Sequence, residues 1–156
     1  MSAVVAGLAG VAVMTNAVVY GTDMFAGTVM RSAYAQMDDT TMTLAAGWGH
    51  RFADQRMPAF GVPGVVFAVA ATLAAAVVGS TGEVVAGVVA VLALVAWLGI
   101  YARVAKPINI RQKDAARTGV IPSDARDLQR RWDAVAPTRI ALQAVAVLSL
   151  VVMLAV

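Results

Sequence analysis

The chain alternates long apolar stretches with polar segments, and the apolar stretches occur four times in its 156 residues. A helix needs about 20 predominantly apolar residues to cross the roughly 30 Å hydrocarbon core of a bilayer, and each stretch is close to or above that length. The pattern therefore predicts an all-α fold: a four-transmembrane-helix bundle forming a single integral membrane domain over residues 1–156. The predicted spans are 3–30, 62–79, 84–102 and 137–156, and the two long polar segments are 31–61 and 103–136.

The first polar segment predicts a short amphipathic helix beside the membrane. Between Thr40 and Arg56 apolar residues recur with a helical period. Asp38 or Asp39 is placed to cap this helix, because a short carboxylate accepts hydrogen bonds from the first free N–H groups. His50 falls at the edge of its apolar face.

The second polar segment is expected to be helical at its far end. Pro107 should end the third helix, because proline lacks the N–H of the helical ladder and its ring crowds the preceding turn. Pro122 and Ser123 indicate a new helix start. That helix is expected to continue through Trp132 into the fourth span.

The distribution of charge predicts an orientation in the membrane. All twelve lysine and arginine residues lie within Arg31–Arg56 and Arg103–Arg139, and the link Ser80–Glu83 carries only an acid. Under the positive-inside rule both basic segments are cytoplasmic and both termini are outside. We expect an integral protein of the bacterial inner (plasma) membrane. The N-terminal stretch lacks the basic region of a signal peptide, so we expect it to remain as the first span.

Composition narrows the possible chemistry. The chain is 60% hydrophobic and only 13% charged, whereas soluble domains are about a quarter charged. Its excess of basic residues is expected to face anionic lipid, and we expect no nucleic acid partner. Without cysteine there are no disulfides, iron–sulfur clusters or thiolate metal sites, and one histidine does not make a multi-histidine metal or haem site. We therefore expect no metal site.

Three polar residues interrupt the first apolar stretch. Asn16, Tyr20 and Asp23 follow at intervals of four and three, so they share one face of a helix. An ionisable side chain at membrane depth costs at least about 2.5 kcal/mol unless it is paired or faces a wet cavity. Asp23 is thus a candidate general base or proton carrier. The alternative is a purely structural ion pair with Arg31 or Arg139.

The fourth span repeats this pattern. Trp132, Arg139 and Gln143 share one helix face. Arg139 either contributes positive charge to a site or extends its head group to the interface. Gln143 lies a turn deeper and is expected to bond to another helix or to a ligand. In the third span, Trp97 and Tyr101 are also one turn apart, and we expect them to be interfacial anchors.

Two further polar residues are candidates for the same site. His50 is the only side chain with an ordinary pKa near neutrality, and the alternative is a plain polar position on a short helix. Asn109 follows Pro107 closely enough to turn its amide back toward the bundle.

Four motifs together resemble a family of small four-span membrane proteins, the DUF1772 or anthrone oxygenase-like family. The motifs are Tyr20–Asp23, His50–Pro58, Lys106–Asn109, and Arg131–Asp133 followed by Arg139. Some members of that family oxidise anthrones to anthraquinones with dioxygen, without metal or flavin, whereas many bacterial members have no assigned activity. The resemblance thus implies a four-span fold and an oxidoreductase that acts without a cofactor.

The residues are compatible with that chemistry. A cofactor-free oxygenase needs a base, a positive charge beside the substrate anion and an apolar pocket. Asp23 or His50 is the expected base, and Arg139 is the expected charge partner. Residues expected to contact a lipophilic aromatic ligand are Asn16, Tyr20, Asn109, Trp132 and Gln143.

Two other functions fit the same residues. A non-catalytic subunit of a larger membrane complex would use the polar side chains as interhelical hydrogen bonds. A small carrier or proton-coupled transporter would use Asp23 with Arg139 as a switchable pair, and with only four spans it would need to form a homo-oligomer.

Overall fold

The computed structural model describes residues 2–156, and within that range the chain forms five helices and no strands. These are α1 (Ala3–Ala35), α2 (Asp39–Arg56), α3 (Pro58–Val78), α4 (Thr81–Thr118) and α5 (Ala125–Ala155). By length and composition α1, α3, α4 and α5 can each cross a membrane. The predicted all-α bundle of four membrane-spanning helices is confirmed.

The four long helices form a ring in which each packs against two neighbours: α1 against α3 and α5, and α4 against α3 and α5. Small side chains dominate the interior where α3 joins α4, which lets the helix backbones approach closely. Gly87 of α4 shows how close, because a Cβ there would lie 2.4 Å from Oγ1 of Thr72 on α3. In this half of the bundle α3 and α4 are therefore in close contact.

The other half, where both basic segments lie, is covered by α2. Of the two predicted caps, Asp38 rather than Asp39 caps this helix, accepting a hydrogen bond from the backbone N–H of Thr41 at 2.9 Å. The helix packs against the part of α4 that follows the predicted third span. Gly47 makes the contact possible, because a Cβ at this position would lie 2.1 Å from the backbone carbonyl oxygen of Gln112.

The expectation that Pro107 ends the third helix is wrong. The helix continues to Thr118 through a wider π-helical turn, Tyr101–Ala105, in which the N–H of Lys106 bonds to the carbonyl of Tyr101, five residues back. The register shift gives the proline ring room and removes the need for its missing N–H. A similar turn, Ala26–Met30, lies within α1.

Candidate functional site

The two charged residues of the predicted membrane interior pair with each other. Asp23 on α1 and Arg139 on α5 are each 6% exposed, and Nη2 of Arg139 donates to Oδ1 of Asp23 at 2.6 Å. Of the two partners expected for Asp23, the structure therefore selects Arg139 rather than Arg31. Breaking such a pair by removing one member typically costs about 3–5 kcal/mol, because a buried charge is left alone.

Two indole rings enclose the arginine. The guanidinium carbon of Arg139 lies 5.4 Å from the ring centroid of Trp97 and 5.2 Å from that of Trp132. Trp97 also donates from Nε1 to the second carboxylate oxygen of Asp23 at 2.8 Å. Cation–π contacts in a desolvated site are worth about 2 kcal/mol, so the rings replace part of the lost hydration. Nε of Arg139 is buried and has no hydrogen-bond partner among residues 2–156.

A second carboxylate lies on the covering helix. The rings of Trp97 and Tyr101 stack at 5.8 Å with an angle of 6° between them. The hydroxyl of Tyr101 donates to Oδ1 of Asp54 on α2 at 3.4 Å, and Lys113 forms an ion pair with the same carboxylate. The expectation that Trp97 and Tyr101 serve as interfacial anchors is therefore incomplete, since both contribute to this site.

The side chain of His50 on α2 also belongs to this site. Its ring lies 5.8 Å from that of Trp132, at 45°. Trp132 in turn donates from Nε1 to Oδ1 of Asn109 at 3.2 Å. Burial lowers the pKa of His50 to about 4, against the opposing effect of the nearby Asp54 carboxylate. The imidazole is therefore neutral at pH 7 and keeps one ring nitrogen as an acceptor.

These groups share one cavity of about 590 Å³ beneath α2. That volume lies within the roughly 300–1,000 Å³ typical of small-molecule sites. Five of the residues predicted from the sequence line it, and most of the remaining wall is apolar. The five are Asp23, His50, Asn109, Trp132 and Arg139, and the polar or aromatic wall residues that the sequence analysis did not assign to the site include Asp54, Trp97, Tyr101 and Gln129.

The sequence contains one signal for Trp97, which the sequence analysis did not assign to the site. An indole N–H at membrane depth requires an acceptor, and Asp23 is the only carboxylate in the first predicted span. Trp97 is therefore a reasonable partner for Asp23. For Gln129 no comparable signal exists. It accepts from Gln112 at 3.0 Å and donates to Asp133 at 2.9 Å, forming a polar layer at the edge of the cavity.

Three of the predicted ligand-binding residues are not part of the cavity wall. Asn16 is buried and donates from Nδ2 to the carbonyl oxygens of Ala12 and Gly64, at 2.9 and 3.0 Å, so it links α1 to α3. Tyr20 is partly exposed. Gln143 is buried one turn beyond Arg139, and within the described part of the chain its Oε1 has no hydrogen-bond partner.

The fold and the site define a class: a four-span helical membrane protein with a polar, aromatic-lined cavity at the basic end of its bundle. No protein-family model matches the chain, and comparisons with curated proteins and with solved structures give no significant match. In the described range no group of three or more histidine and acidic side chains is arranged to hold a metal ion.

Proposed function

We propose that the cavity binds a lipophilic aromatic molecule of the anthrone or quinol type and holds it as an anion. The observation that carries this proposal is the buried arginine in the cavity wall. Arg139 lies between Trp97 and Trp132 in a cavity that is otherwise largely apolar. Asp23 offsets part of the charge of Arg139 through the bond to Nη2, and the remaining N–H groups of the guanidinium can donate to a phenolate or enolate in a site where little water screens the interaction.

The reaction that we propose is cofactor-independent oxidation by dioxygen, in line with the resemblance to the anthrone oxygenase-like family. A base removes a proton from the acidic carbon of the substrate. The carbanion gives one electron to dioxygen, the two radicals combine to a peroxide anion, and the protonated base returns its proton to give the hydroperoxide. Loss of water from the hydroperoxide leaves a carbonyl group, so one oxygen atom enters the product and the other leaves as water.

We assign the base to His50 and a positioning role to Asp23. Both carboxylate oxygens of Asp23 already accept hydrogen bonds, from Arg139 and Trp97, which makes this group a poor base. The neutral His50 has an acceptor nitrogen in the cavity wall. An anion formed beside it raises the pKa of its imidazole, since opposite charges favour the protonated form. The pKa of the base is therefore closest to that of the substrate when the substrate is bound.

We further propose that the basic end of the bundle, and with it the cavity, faces the cytoplasm of a bacterial cell, with both termini outside. The excess of lysine and arginine at this end supports that orientation.

The test is anthrone turnover by the protein in lipid nanodiscs, followed as oxygen uptake and anthraquinone formation. Ligand binding is measured separately with the stable product analogue 2-hydroxyanthraquinone. We expect His50→Gln to abolish turnover and retain binding, and Arg139→Gln to lose both. Arg130→Gln, at an exposed position on the same helix as Arg139, is the matched control. Binding without turnover in the wild type would favour a carrier, and absence of binding would overturn the proposal.

A further inference from the structure

The wall of the cavity has two parts that differ in exposure. The ion pair in the polar part is buried, since Asp23 and Arg139 are each 6% exposed. The apolar part is exposed at Val62 and Val66 of α3 (60% and 55%), at Leu98 of α4 (39%) and at Phe25 of α1 (55%). Side chains that line a cavity and also contribute to the outer surface mark its mouth.

This mouth lies at the level of the bilayer. Val62 and Val66 belong to the predicted second span and Leu98 to the predicted third span, and all three are in helices long and apolar enough to cross a membrane. Toward their connecting turn, α3 and α4 pack tightly, with Gly87 against Thr72. The cavity reaches the surface of these two helices nearer the basic end, at apolar side chains that are expected to face lipid.

We propose that the ligand enters and leaves sideways, from the bilayer, between α3 and α4 across Val62, Val66 and Leu98. This inference rests on the proposed function and narrows its substrate class. A charged molecule would have to pass an apolar mouth at membrane depth, which is strongly unfavourable. The ligand therefore arrives as a neutral weak acid dissolved in lipid and ionises only beside Arg139. Permanently anionic conjugates, such as sulfonates, are not expected to enter the cavity by this route.

Lateral entry can be tested by blocking the mouth with a bulky side chain, and the chain offers control positions for this test. Val66→Trp and Leu98→Trp add bulk at the mouth. Leu73→Trp on α3 and Leu92→Trp on α4 place the same ring at positions that are more exposed and do not line the cavity. Each control therefore lies on the same helix as its mouth variant and also replaces an exposed aliphatic side chain. Circular dichroism with thermal unfolding identifies any variant that does not fold.

The experiment is stopped-flow binding of 2-hydroxyanthraquinone to the protein in nanodiscs, followed by the absorbance of the ligand, with anthraquinone-2-sulfonate as the charged comparison. We expect each mouth variant to slow association and dissociation by about tenfold or more while the Kd stays nearly constant, because only the barrier changes. The two control variants should match the wild type, and the sulfonate should not compete.

The outcomes separate the entry route from the function. If 2-hydroxyanthraquinone binds but Val66→Trp and Leu98→Trp associate as fast as the controls, lateral entry is refuted and the binding site stands. Competition by the sulfonate at comparable affinity also refutes lateral entry of a neutral ligand. If the wild type binds neither compound, the proposed function itself fails, and the entry route fails with it.

Discussion

Trp97 and Tyr101 lie one turn apart on α4 with nearly parallel rings, and each donates its polar hydrogen to a different carboxylate. Trp97 bonds to Asp23 in the interior of the bundle, and Tyr101 bonds to Asp54 on the covering helix α2. The stacked pair therefore connects the buried ion pair to the helix that closes the cavity. These two rings thus form a continuous line of contacts from Arg139 to α2.

Replacing Trp97 with phenylalanine tests the hydrogen bond without removing the ring. Asp23 would keep its ion pair with Arg139 but lose a donor to its second oxygen. We expect a loss of about 1–3 kcal/mol in the free energy of unfolding, because a buried acceptor is left unsatisfied. Equilibrium unfolding in mixed micelles measures this. Trp48→Phe, at an exposed indole on α2, should have little effect, and an equal loss in the two variants would contradict the assigned role of Trp97.

The ion pair between Asp23 and Arg139 can be measured by a double-mutant cycle. Asp23→Asn and Arg139→Gln should each destabilise the protein by about 3–5 kcal/mol, since each leaves the partner buried as an unpaired charge. The double variant should be more stable than the sum of the two losses predicts, because neither charge remains.

The control for this cycle is the exposed pair Asp114 and Arg117, which lie three residues apart on α4. Exposed ion pairs contribute little because water and salt screen them, so the same cycle there should give almost no coupling. Additive losses at Asp23 and Arg139 would show that the two residues do not depend on each other.

Local and non-local features differ in how far the sequence determines them. A cap at Asp38 or Asp39 was predictable because donor and acceptor lie within three residues of each other, and the spans follow from the positions of the apolar stretches along the chain. The partner of Asp23 remained open between Arg31 and Arg139, because the choice depends on the rotation of α1 and α5 about their axes. The roles of Trp97 and Tyr101 were missed for the same reason.

The covering helix depends on one glycine, which offers a direct test of its docking. A Cβ at Gly47 would lie 2.1 Å from the carbonyl oxygen of Gln112, and this atom belongs to helix backbone that cannot yield easily. We expect Gly47→Ala to destabilise the protein by about 1–3 kcal/mol through overpacking. The cavity should open to water as α2 separates from α4.

Gly49 on the same helix is the matched control, because a Cβ there would meet nothing within 4 Å. Gly49→Ala should stabilise the helix by about 0.5–1 kcal/mol, the ordinary gain from replacing glycine in a helix. The two alanine variants should therefore shift thermal unfolding in opposite directions. Shifts of the same sign would show that α2 does not pack on α4 as closely as described.

The partly buried imidazole of His50 makes stability depend on pH in a defined window. Its pKa is lowered from 6.5 to about 4, mainly by burial, with Asp54 opposing the effect and with Arg139 and Lys113 adding to it. Between these two pH values the unfolded chain binds more protons at this position than the folded protein. Stability should therefore rise with pH from about 4 to 6.5 and then level off as far as His50 is concerned.

His50→Gln removes this contribution, and the difference between wild type and variant isolates it. Because carboxylates also titrate near the lower end of the window, the comparison is most informative between about pH 5 and 7. There the free energy of unfolding of the wild type should fall on acidification more steeply than that of the variant. Parallel curves would show that His50 is not buried in its neutral form, and its assignment as the base would lose its physical support.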